Sequence, residues 1–226
     1  MSRNAVTPQA LFLGSIGVLA ETSDIQRRAY NQAMAEAGLD WHWDVATYRA
    51  LLVSAGGKAR LHRLAAADNK SLAAATVDQI HRRKTEIACA EVVRDRTPLR
   101  IGVAALIRAA LERDIALALV TTTYRPNIDA IAAAHPDELP LDRFAAVLTV
   151  DDVARGKPAP DIYELALERT GVRAEDALAI EDSAASVAAA RAAGVYTVAI
   201  PGRFTQGQDF SGANERLDSL AGFAFD

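Results

Sequence analysis

Residues 177–200, ALAIEDSAASVAAARAAGVYTVAI, hold two short apolar runs separated by a helix-length interval. The runs ALAI (177–180) and VYTVAI (195–200) are too short for helices and too continuous for strands with one wet face. Strands buried on both faces, as in a parallel sheet, read this way. The interval places Ala and Val at helical spacing, opens on Asp182-Ser183 and closes on Gly194. Asp and Ser are favoured where a helix starts, and Gly where one stops. The stretch is therefore a strand–helix–strand unit.

Outward from it the same alternation recurs. Apolar runs stand at 10–13 (ALFL), 115–120 (IALALV) and 144–150 (FAAVLTV), with helical patterns at 102–113, 126–134 and 161–170. Repeated units of this kind predict an α/β fold with a doubly wound parallel sheet. The interval 22–96 breaks the pattern. It has no strand-like run, only helical patterns at 24–37, 44–53, 58–67 and 76–94. The expected organisation is an α/β core domain (1–21 and 97–226) carrying an inserted α-helical cap domain (22–96).

Composition narrows the function classes. The chain has 226 residues, half of them hydrophobic, enough for a core without disulfides. A formal charge of −4 gives no electrostatic reason for a nucleic acid or anionic membrane partner. The single cysteine, Cys89, excludes an internal disulfide framework and a multi-cysteine zinc site. No apolar run is long enough to span a membrane, and MSRNAVTPQALFL does not read as a secretory leader. A cytoplasmic protein is the expectation, with its oligomeric state open. Alanine is in excess, at 48 residues, which favours helices and close packing.

In an open parallel sheet, ligands bind beyond the carboxyl ends of the strands. The residues there are Gly14-Ser15-Ile16-Gly17, Thr121-Thr122-Thr123, Asp151-Asp152 with Lys157, and Glu181-Asp182-Ser183. Hydroxyl and ammonium groups can bind phosphoryl oxygens, and paired carboxylates supply the hard oxygen ligands that Mg²⁺ prefers. Each group has an ordinary alternative: strand-end threonines, a solvated loop lysine, a helix cap. Their order after successive strands argues for a shared site.

These residues resemble the haloacid-dehalogenase superfamily of phosphatases and phosphomutases. KPAPDIYELALERTGV (157–172) is similar to its lysine motif, IEDSAASVAAARAAG (180–194) to its acidic metal motif, and VTTT (120–123) to its hydroxyl motif. Within the superfamily, RRAYNQAMAEAGLDWHWD (27–44), GGKAR (56–60), TTTYRPNIDA (121–130) and DFSGANERLDSL (209–220) resemble the CbbY-type xylulose-1,5-bisphosphate phosphatases. The resemblance implies a helical cap, a phosphorylated-sugar ligand, Thr121, Thr122 and Lys157 at the phosphate, and Mg²⁺ at Asp182, Glu181 and the backbone carbonyl of residue 16. It also implies an aspartate nucleophile and, two residues later, an aspartate acid/base.

Here the sequence departs. LFLGSIGVLAET (11–22) aligns on the first motif, placing Gly14 at the nucleophile position and Ile16 at the acid/base position. Neither side chain can attack or transfer a proton. Ser15 is adjacent, but at a strand end neighbouring side chains point to opposite faces, so it is expected to be a poor substitute. The expectation is an impaired catalyst with weak Mg²⁺ binding, acting as a phosphometabolite-binding or regulatory protein. The alternatives are residual hydrolysis by metal-bound water, and a structural partner of an active paralogue.

Toward the cap, Glu21 could face a substrate sugar, and Gln26 stands where the family often has histidine. Gly57, Lys58 and Arg60 could approach a far phosphate or simply start a helix. Trp41-His42-Trp43 is expected to pack one helix end on the next. His81-Arg82-Arg83-Lys84 reads as a solvated helix face, and Cys89 as cap-core filling.

Overall fold

The computed structural model describes residues 7–53, 56–67 and 71–225. Of the expected core segments, residues 1–6 and 226 lie outside these. Six strands form one parallel sheet: β1 (Ala10–Leu13), β2 (Ala116–Val120), β3 (Ala146–Leu148), β4 (Ala177–Glu181), β5 (Tyr196–Ala199) and β6 (Glu215–Arg216), in the order β3-β2-β1-β4-β5-β6. The register sets Leu13 against Leu119 on one side and Ile180 on the other. The three central strands thus end beside one another.

The apolar runs pack as strands buried on both faces should. Leu11, Leu13, Leu117, Leu119, Leu178 and Ile180 turn to one side, against α5 (Val103–Glu112) and α6 (Arg125–Ala134). Ala10, Phe12, Ala118, Val120, Ala177 and Ala179 turn to the other, beneath α7 (Asp161–Thr170) and α8 (Ala184–Ala192). Small side chains on that face meet Ala166, Ala189 and Ala190, so part of the alanine excess serves close helix–sheet packing.

Between β1 and α5 lie α1 (Ser23–Glu36), α2 (Val45–Leu51), α3 (Gly57–Ala67) and α4 (Ala74–Arg94). They enclose a separate aromatic cluster of Tyr30, Trp41, Trp43 and Tyr48 with Met34, Leu61 and Ile80. Trp41 and Trp43 are buried and His42 is exposed, so the tryptophans do pack the helix ends. Asn31 pins the turn, donating to the Trp43 carbonyl at 2.9 Å and accepting from its amide at 2.8 Å.

Two boundaries differ from the sequence reading. The run 144–150 is a strand only over Ala146–Leu148, because Thr149 caps a 3-10 turn at Val150–Asp152 and the Asp152 carboxylate accepts from the Thr149 amide at 2.7 Å. The edge strand β6 carries two exposed polar residues and gives no apolar signal. Gly102 precedes α5 at φ +92°, and a Cβ there would strike the Leu220 carbonyl. Gly102→Ala is expected to destabilise by roughly 2–4 kcal/mol in urea unfolding, from left-handed strain plus the clash.

Candidate functional site

A cavity of about 150 Å³ lies where β1, β2 and β4 end, between the sheet and the inserted helices. Gly14, Ser15, Ile16, Thr121, Thr122, Lys157, Glu181 and Asp182 line its core end; Gln26, Gly57, Arg60 and Lys84 line the end toward the inserted helices. The chain turns sharply after β1, with the Leu19 amide donating to the Ser15 carbonyl at 2.8 Å. Gly17 adopts φ +81°, and its missing side chain makes room for the Asp182 carboxylate. Arg100 locks this turn to the loop after β5, donating to the carbonyls of Gly17, Ile200 (2.7 Å) and Pro201 (3.2 Å).

At the core end, Lys157 and Glu181 form a buried ion pair at 2.5 Å, with side chains 3% and 2% exposed. Lys157 also donates to the Val120 carbonyl at 2.8 Å and to the Tyr163 hydroxyl oxygen at 3.4 Å. Tyr163 in turn donates to Glu181. Burial, reinforced by the Glu181 charge, pushes the Tyr163 phenol well above its ordinary value. Burial, then the Glu181 and Glu21 charges, push the Asp182 carboxyl up to about 8, against the pull of Lys157 and Arg100.

Ser15 does not turn away as strand alternation would require. Its hydroxyl lies 2.8 Å from that of Thr121, because β1 ends at Leu13 and Ser15 already belongs to the turn. The Thr121 hydroxyl also accepts from the Thr123 amide at 3.2 Å.

The other end of the cavity corrects the reading of residues 81–84. Arg82 and Arg83 are exposed, but His81 and Lys84 are each only 5% exposed. Four consecutive residues span more than one helix face; 81 and 84 fall on the stripe that also carries Val77, Ile80, Ala88 and Val92. That stripe was the signal available in the sequence. Lys84 donates to the Gln26 side-chain oxygen at 2.6 Å, and Gln26 donates to Asn127 at 3.0 Å. Burial and the Arg60 charge hold the Lys84 ammonium down at about 8, with Cys89 opposing slightly. Burial, with the Lys84, Lys58 and Arg60 charges, pushes His81 down to about 3, so it is neutral at physiological pH.

Three further residues stand elsewhere than expected. Lys58 pairs with Asp78 at 2.6 Å and lines an outer groove, not the cavity, whereas Arg60 on the same helix does reach it. Helix geometry separates the two, since residues two apart do not share a face. The Glu21 carboxylate accepts from the amides of Ser23 (3.3 Å) and Arg203 (2.9 Å) and packs on Gly202, outside the cavity lining. Cys89 is half-buried and its thiol donates to the Pro126 carbonyl of α6 at 3.3 Å, so it joins α4 to the α/β core instead of filling the cap interior.

The Lys84 shift has a measurable consequence. The unfolded ammonium keeps its proton up to about 10.5, whereas the folded one releases it near 8, so the unfolded chain binds more protons between these values. Arg60 from α3, Tyr30 from α1, and His81 and Cys89 from α4 are the titratable or charged groups around it. Stability is expected to rise with pH across that window by about 1 kcal/mol or more. Lys84→Met should remove this rise and be the more stable chain at pH 7; identical pH profiles of urea unfolding would contradict it.

The comparisons with known proteins agree with this architecture. The family model "haloacid dehalogenase-like hydrolase" matches residues 9–194. Protein CbbY of Cereibacter sphaeroides is 40% identical over 216 residues, covering 94% of this chain and 93% of that protein. The plasmid-borne protein CbbY of Cupriavidus necator is 43% identical over 210 residues, covering 91% and 83%. A crystal structure of a mutant CbbY from Rhodobacter sphaeroides in complex with xylulose-(1,5)bisphosphate superposes with a TM-score of 0.90 at 39% identity, covering 95% of each chain. With a six-stranded parallel sheet, a polar cavity at its carboxyl edge, and a family match over most of its length, the chain belongs to the haloacid dehalogenase-like hydrolases.

Proposed function

We infer that this chain is a family member that binds a phosphorylated sugar in the cavity and has lost the phosphoryl-transfer step. The observation that carries the reading is the pair Gly14 and Ile16. Both line the cavity, at the positions the family's first motif gives to its nucleophile and acid/base. Removing a nucleophile from a catalytic unit costs roughly 10⁶-fold in rate, about 8 kcal/mol of transition-state stabilisation. The CbbY relatives and the bisphosphate in the CbbY crystal structure favour a sugar phosphate as ligand.

Mg²⁺ is the ion the family implies. The donors here do not fit it well. Among the described residues, no group of three or more His, Cys, Asp or Glu side chains converges to hold a metal. Glu181 holds Lys157 and Tyr163 with Oε1, which leaves its Oε2, Asp182 and a backbone carbonyl for an ion that demands near-octahedral oxygen ligation. Hydrolysis by metal-bound water is therefore the less favoured reading.

Phosphate release from a panel of sugar phosphates with Mg²⁺, alongside calorimetric titration of the same compounds, tests the proposal. Binding without turnover is expected. Turnover at about 1 s⁻¹ or faster, as ordinary enzymes show, would overturn the loss of chemistry. The absence of binding to any sugar phosphate would overturn the ligand assignment and leave a structural role.

A further inference from the structure

The sequence holds four lysines, and they differ in what their nitrogens touch. Lys157 is bound in the ion pair with Glu181. Lys58 is bound in the one with Asp78, whose carboxylate holds the Lys58 ammonium above its ordinary range. Lys70 lies outside the described residues. Lys84 is only 5% exposed and lines the cavity. Among the described residues its nitrogen has one hydrogen bond, to the neutral Gln26 side chain, and no carboxylate partner.

A lysine becomes a nucleophile where burial or a second cation strips its proton. Both conditions hold at Lys84. The Tyr30 ring centroid lies 5.0 Å from its nitrogen, and Arg60 lines the same end of the cavity, donating only to the Leu51 carbonyl. With the ammonium held at about 8, about a quarter of the chains carry a free amine at about pH 7.5, against about 0.1% at the ordinary lysine value. That amine borders a cavity of about 150 Å³, room for a molecule of a few heavy atoms. Ser15, Thr121 and Asp182 supply hydroxyl and carboxyl groups at the opposite end.

We propose that Lys84 is a carbonyl-capture site: its amine condenses with the aldehyde group of a short α-hydroxyaldehyde held in the cavity. The nitrogen lone pair forms the N–C bond while the carbonyl π pair moves to oxygen. The two amine protons pass to that oxygen, the C–O bond breaks, and water leaves an imine. No oxidant or reductant is needed. The Tyr30 hydroxyl, buried and without a hydrogen-bond partner, lines this end and is the protic group that can relay those protons. Burial raises its phenol, so it keeps its own proton at neutral pH. The hydroxyl of the captured aldehyde meets the polar end of the cavity. The capture is independent of the phosphorylated-sugar reading above, which needs no covalent bond.

Incubation of the full chain with glycolaldehyde and cyanoborohydride in EDTA at about pH 7.5, followed by peptide mapping in a mass spectrometer, tests it, since hydride fixes an imine as a hydroxyethyl amine. Lys84 is expected to be labelled at least tenfold faster than the exposed Lys58. In urea this preference should disappear, because the cavity is gone. Arg60→Met should slow the labelling of Lys84 about threefold or more by removing the neighbouring cation, with a thermal melt to verify folding. Propanal, which lacks the hydroxyl, should show a preference for Lys84 about threefold smaller or less. Labelling of Lys84 no faster than Lys58 in the folded chain, or a preference that survives in urea, would overturn the capture site. An unchanged rate in folded Arg60→Met would overturn the part given to Arg60, and an equal preference with propanal would overturn the hydroxyaldehyde class. None of these outcomes touches the sugar-phosphate reading, which is decided by calorimetry without a reductant.

Discussion

Gly14→Asp/Ile16→Asp is expected to release phosphate from xylulose 1,5-bisphosphate in the presence of Mg²⁺ at least ~10³-fold faster than the unmodified chain, a gain of about 4 kcal/mol in transition-state stabilisation. The remaining parts are in place. Thr121, Lys157, Glu181 and Asp182 already line the cavity at the strand ends. The substitutions add the missing attacking carboxylate and, on the half-buried residue 16, a proton donor. One obstacle is visible. A Cβ at residue 14 would stand 2.7 Å from Glu181 Oε2 and 2.8 Å from Val18 Cγ2. The new carboxylate must therefore displace Glu181 from its present position. That movement would also loosen the Glu181–Lys157 pair and so make the Lys157 ammonium available to a phosphate. Gly14→Asp alone should fall about 10²-fold short of the double variant, since general acid–base assistance is absent. A folded double variant with no gain would show that more than the two aspartates is missing.

Lys157→Met is expected to destabilise the chain by roughly 3–5 kcal/mol, read from urea unfolding at pH 7. The loss comes from Glu181, left charged at 2% side-chain exposure with only the Tyr163 hydroxyl as partner. Removing both charges is a different matter. Lys157→Met/Glu181→Leu should recover most of the loss, because two buried charges carry desolvation costs that their attraction only about offsets. If the double variant were as unstable as the single one, packing around the Lys157 stem, not charge, would be responsible. The prediction separates a pair retained for stability from one retained by descent from a phosphate site.

Much of the fold was legible because the apolar runs are buried on both faces. Residues 10–13 and 177–180 read as strands for the same reason that they pack as strands. Helix ends were legible where a cap has a chemical signature. Ser183 accepts from the Ser186 amide, and Gly171 closes α7 at φ +67°. Illegible were features set by contacts between distant segments. The edge strand β6 is polar and borrows its pairing from β5. Lys84 was legible only in part: it shares a helical stripe with Ile80, Ala88 and Val92, but that this stripe packs against α1 and α6 was not written in the sequence.

The sequence by itself determined the order of the strands' loops, and so which residues would gather at the sheet's carboxyl edge. It also determined that positions 14 and 16 carry no carboxylate, since identity needs no geometry. Which charges at that edge are free was decided only by the tertiary structure. Glu181 reaches Lys157 across β4 and the loop before α7, while Lys84 and Arg60, on different helices, meet no carboxylate among the described residues. Net electrostatics depends on pairwise distance and burial, and neither is written in the linear order of residues.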